Sequence, residues 1–139
     1  MLPSRTEQIA AGFEAAALSK LEWTHVAHLT MGAWHVARFG PEQALARLRA
    51  GIRALNDAHG TINSDTSGYH ETITRAYVRL IAAFLSARPA GEEIDASVAA
   101  LLASPLAARD ALMRHYTRER LFSVAARRDW VEPDLLPLP

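Results

Sequence analysis

The chain has 139 residues, half of them hydrophobic, with 15 basic and 15 acidic side chains and no cysteine. Its length predicts one domain spanning residues 1–139, and the missing cysteine excludes disulfides, thiolate metal ligands and a cysteine nucleophile. Balanced charge with scattered arginines argues against a nucleic-acid partner. No apolar run approaches the ~20 residues a membrane helix needs, and none follows a basic start as a secretory leader would, so a cytoplasmic protein is expected.

Helical periodicity runs through nearly the whole chain, predicting an all-α bundle of about four main helices plus shorter ones. Ser4 is placed to cap a first helix, with Glu7 completing a capping box, and Ile9, Phe13, Ala16 and Ala17 recur at helical spacing. Thr24 caps a second helix that reaches Phe39, where Gly40 and Pro41 interrupt it. Pro41 and Glu42 suit the first turn of a third helix. Its apolar stripe is Ala44, Leu45, Leu48, Ile52 and Leu55, and it stops at His59-Gly60. The arginines of this helix, Arg47, Arg49 and Arg53, read as a solvated face.

The polar segment "GTINSDTSG" leads to a fourth helix starting near Gly68 to His70, with Ile73, Tyr77, Leu80, Ile81 and Phe84 as its core stripe. A fifth helix is expected over about Ile94 to Ala103 and a sixth over about Pro105 to His115. One more short helix follows, capped by Thr117. The tail "VEPDLLPLP" carries three prolines and is expected to lie extended over the bundle.

Four of the six histidines fall near two helix starts, in "EWTHVAHLTMGAWHVARFG" and "GYHETIT". His25 and His28 are three residues apart and share a helix face, and Gly32 opens the surface just beyond them. His35 lies about 11 Å further along the axis and reads as a packing histidine. If the second and fourth helices pack side by side, His70 joins His25 and His28. Three imidazoles with an open fourth position suit a divalent transition metal: zinc, nickel, iron or copper. Glu71 is then a fourth ligand or the base for a bound water. Helix starts disfavour protonated histidine because the dipole is positive there, and neutral imidazole is the form that binds metal or accepts a proton.

The segments "WTHVAHLTMGAWHVARFG" and "GYHETIT", with the ending "RLFSVAARRDWVEPDLLPLP", resemble a family of small bacterial helical proteins. That family is marked by an H-x-x-H-L segment, a Y-H-E-T-I-T segment and a C-terminal A-R…P-D tail. The resemblance covers most of the chain, and its marked positions include His25, His28, Trp34, Tyr69, His70, Glu71, Thr72, Thr74, Tyr116, Ser123, Arg127 and Pro133. The chain departs from the pattern at Phe122, where the family has serine. The resemblance brings no activity with it; it implies that the two histidine segments belong to one unit.

Together these features predict a small metalloenzyme acting on a small molecule through His25, His28 and His70, with Glu71 as catalytic group. Tyr69, Thr74, Tyr116 and Arg127 are the candidates for holding the substrate, Arg127 through a bidentate grip on a carboxylate or phosphate. The rival is a non-enzymatic helical binding or interaction module with structural histidines. For Arg127 the rival role is a salt bridge to Glu132 or Asp134. The apolar tail residues Trp130, Leu135, Leu136 and Leu138 favour a homodimer.

Overall fold

The computed structural model describes residues 3–139, and among these there is no strand. Helix α1 (Arg5–Glu14) begins as expected, the Ser4 hydroxyl accepting the Glu7 N–H at 3.1 Å. Only this half of the capping box forms. Its inward face is Thr6, Ala10 and Phe13.

Helix α2 (His25–His59) is two helical arms meeting at Gly40, whose φ of 79° and ψ of 163° are not helical. That backbone region is accessible essentially to glycine alone. The arms fold back on one another: Leu29 on the first and Leu48 on the second line the same cleft. In a straight helix these two residues would stand about 28 Å apart, at 1.5 Å per residue. Gly40 therefore acts as the turn of a helical hairpin, and Pro41 opens its second arm.

Helix α3 (Glu71–Ser86) packs more extensively on α2 than on any other element. It lies between two apolar clusters. Val78 and Ile81 join Phe13, Leu29, Leu48 and Leu101 in the first. Ala76 and Leu80 join Leu112, Tyr116, Leu121 and Leu138 in the second. Helix α4 (Ile94–Leu102) contributes Val98 and Leu101 to the first cluster.

The expected sixth helix is instead two 3-10 turns, Pro105–Ala107 and Ala111–Arg114. Ala108 between them is extended at φ −65° and ψ 138°, so no continuous ladder can pass through it. The last expected helix is likewise divided. Thr117 caps α5 (Arg118–Leu121), and Ser123 caps a separate α6 (Val124–Arg128).

The proline-rich tail lies extended on its own chain. Thr72 Oγ1 donates to the Asp129 carbonyl at 2.8 Å and accepts the Val131 N–H at 3.1 Å. The Asp134 carboxylate takes the N–H and hydroxyl of Thr117, and Leu138 is buried in the second cluster. None of the helices is long and apolar enough to cross a membrane among the described residues.

Candidate functional site

A cleft of about 570 Å³ opens between the two arms of α2 and the first half of α3. Its walls are Leu48, Ile52, Ile73, Val78 and Ile81, with Trp23, Thr24, His25, His28, Thr74, Tyr77 and Arg109 among its polar and aromatic lining. Gly32 belongs to it as well. A Cβ there would come within 2.7 Å of Ile81 Cδ1, so the glycine brings α2 and α3 close at this level.

His25 and His28 reach the cleft from the first turn of α2, where Thr24 caps the helix by accepting the Ala27 N–H at 3.1 Å. Each ring is fixed by a backbone carbonyl. His28 Nδ1–H donates to the Thr24 carbonyl at 2.6 Å, and the ring stacks on Trp23 with centroids 3.8 Å apart. His25 Nε2–H donates to the Ala107 carbonyl at 2.9 Å. That carbonyl belongs to the first 3-10 turn, so the break in the expected sixth helix helps orient the site. In neutral form His28 keeps an unprotonated Nε2 and His25 an unprotonated Nδ1. Desolvation, reinforced by the neighbouring His25, lowers the pKa of His28 and outweighs the opposing Thr24 hydrogen bond.

His70 does not join them. It is buried as the N-cap of α3, its Nδ1 accepting the Ile73 N–H at 3.1 Å while Nε2–H donates to the Leu121 carbonyl at 2.7 Å. Both nitrogens are thus committed. Among the described residues no three histidine, aspartate or glutamate side chains come together as a metal site would require. Of the three histidines expected to converge, His25 and His28 line the cleft, while His70 caps α3.

Glu71 is also engaged elsewhere. Arg49 grips it with two bonds, 2.9 Å to Oε1 and 2.7 Å to Oε2, and the Tyr69 hydroxyl donates to Oε1 at 2.7 Å. Burial works against the carboxylate, but these bonds outweigh it and leave its pKa below the ordinary value. A low pKa and three hydrogen bonds already accepted make a poor water-activating base. The group serves instead as a charged tie between α2 and α3. Tyr69, held by the same carboxylate and lying under the Arg53 guanidinium, titrates above its usual range through burial first and the Glu71 bond second.

Of the remaining candidates, only Thr74 lines the cleft, while its hydroxyl donates to the His70 carbonyl at 2.8 Å. Tyr116 is buried in the second cluster and donates to the Val131 carbonyl at 2.8 Å; burial pushes its pKa up to about 12. Arg127 makes neither an anion grip nor a salt bridge to Glu132 or Asp134. It donates to the Gly68 carbonyl at 2.8 Å and the Tyr69 carbonyl at 3.4 Å, fixing the loop that enters α3. His35 is a packing histidine as expected, 2 % exposed and edge-on to Phe13 and Trp34.

Arg109 and Tyr77 are the lining residues that sequence reasoning missed as ligand groups. Tyr77 falls on the apolar stripe of α3 and looks like core. Arg109 sits where a helix is expected, and only the two-turn geometry turns that segment toward the cleft.

A second groove, of about 800 Å³, runs between α1, α4 and the start of α2. Within it, the Thr6 N–H and hydroxyl both donate to Asp95. Compared with family models, with curated proteins and with solved structures, the chain matches none.

Proposed function

We propose that the chain binds a small molecule in the α2–α3 cleft and acts on it through the His25–His28 pair. The preset state of the two rings carries this reading. Each gives one N–H to a backbone carbonyl, so that the neutral ring has its other nitrogen as the acceptor, and both residues line a cavity with apolar walls. A ring held by its other nitrogen is the form in which histidine ligates a metal or takes a proton. A divalent transition metal on this pair would have two protein ligands, with water and substrate completing the shell, and would supply Lewis-acid chemistry.

Calorimetric titration of untagged protein with zinc and nickel tests the metal. One equivalent is expected to bind, to be lost in His28→Ala and to persist in His70→Asn. Absence of binding to the wild-type chain would refute the metal reading.

The second reading, a non-enzymatic module with structural histidines, is favoured by one specific observation. All six rings hydrogen-bond a backbone carbonyl: those of Ala107, Thr24, Met31, Leu18, Leu121 and Leu136. The expected homodimer draws its support from the exposed Phe122, Val124, Leu135 and Leu136, since Leu138 is consumed by the chain's own core.

A further inference from the structure

The cleft's chemistry also says which class of molecule fits it, an argument that rests on the cleft being the ligand site. In a chain of zero formal net charge, no aspartate or glutamate lines this cavity, while Arg109, His25 and His28 all do. Asp110 is felt by Tyr77 but is not part of the lining. Arg109 forms no ion pair among the described residues.

The Tyr77 hydroxyl makes no hydrogen bond within the described residues, and since no buried polar side-chain atom is left unsatisfied it is accessible, on a residue that lines the cleft. Two uncommitted donors, one of them cationic, therefore share a cavity that no carboxylate lines. Much of the remaining wall is hydrocarbon from both arms of α2 and from α3. A guanidinium and a phenol suit a carboxylate or a phosphate alike, and the apolar walls favour the singly charged carboxylate, which costs less to desolvate. At about 570 Å³, the space falls in the range of pockets that enclose small organic ligands, roughly 300–1,000 Å³.

We propose that the α2–α3 cleft takes an amphipathic organic monoanion, its carboxylate at Arg109 and Tyr77 and its apolar body between Leu48, Ile52, Ile73 and Ile81. Three probes of matched chain length, octanoate, octanol and octylammonium, separate the head group from the tail. Binding is read by calorimetry and by NMR shifts of the full-length chain at neutral pH.

Octanoate is expected to bind at least tenfold more tightly than the other two. Arg109→Gln and Tyr77→Phe should each erode that preference by about tenfold, the scale of one hydrogen bond to a charged group, with octanoate binding weakened more than octanol binding. Arg109 is exposed, so its replacement leaves the core untouched. Equal binding of octanol and octanoate would overturn the anionic class while leaving the cleft as a ligand site. Failure of all three probes to shift the resonances of His28 and Ile52 at millimolar concentration would overturn both readings.

Discussion

His70 has both ring nitrogens occupied, one accepting from the first turn of α3 and one donating to Leu121. Protonating it removes the acceptor and places a cation at the positive end of the helix dipole. Desolvation, then Arg127, keeps its folded pKa below 6.5, and burial does the same for His35. The unfolded chain, with histidines near 6.5, takes up protons at mildly acidic pH that the folded chain refuses. Stability must therefore fall as pH drops from about 7 through the region below 6.5, and level off once the folded rings are protonated too. Urea midpoints between pH 7.5 and 5 should trace this fall, and His70→Asn, which retains a capping acceptor, should flatten it. His70→Ala at neutral pH should cost about 1–3 kcal/mol, for a lost cap and an orphaned carbonyl. A pH curve as steep in His70→Asn as in the wild type would contradict the assignment.

At the scale of elements, Gly40 decides how the longest helical stretch is used. Its φ and ψ let two arms lie side by side, so that the cleft has walls from residues far apart in sequence. Gly40→Ala forces a side chain into that conformation, and a loss of about 1–3 kcal/mol is expected, measurable as a lower urea midpoint with an unchanged slope. The arms are held to α3 by the Arg49–Glu71 pair at 2.7 Å and by the close approach at Gly32. The supposed solvated arginine face is only partly so: Arg47 covers Phe39, Arg49 holds Glu71 and Arg53 covers Tyr69. Side-chain partners of this kind come from neighbouring elements, so a helical wheel drawn for one segment cannot reveal them.

For the whole molecule, the helical class and most boundaries were legible because caps and periodicity are local. Ser4, Thr24 and Thr117 all cap the helices their positions announce. The segment from Pro105 to His115 was not legible as paired 3-10 turns, since its conformation answers to two clusters at once: Leu106 packs against both. The site was half legible. His25 and His28 share a face by spacing alone, and both reach the cleft. The contacts of His70 with Leu121 and of Glu71 with Arg49 were not legible, because whether a helix-start side chain caps its own helix or faces a neighbour depends on packing. The same holds for the tail, whose apolar residues announce a contact without saying whose. In the fold, Tyr116, Thr72 and Thr117 of the same chain receive it.

The reversal at Gly40 and Pro41 also bears on how two copies of the chain could become entangled. Every contact between the arms of α2 is made across a junction with no loop residues to spare. A junction that straightened would carry the second arm, with everything after it, out to a second molecule, where the same contacts can form reciprocally. Hinges of this kind are the places where domain exchange begins. Glycine favours the folded-back geometry, and proline opposes continuation of the ladder. Replacing both, as Gly40→Ala with Pro41→Ala, leaves a run of strong helix formers that prefers to be straight. After refolding at high concentration this double variant should yield an interlocked dimer, heavier by light scattering than the wild type treated alike or, if that too is paired, distinguished from it by failing to exchange subunits over hours. A double variant that behaves as the wild type does would show that packing against α3, rather than the junction, keeps each chain folded on itself.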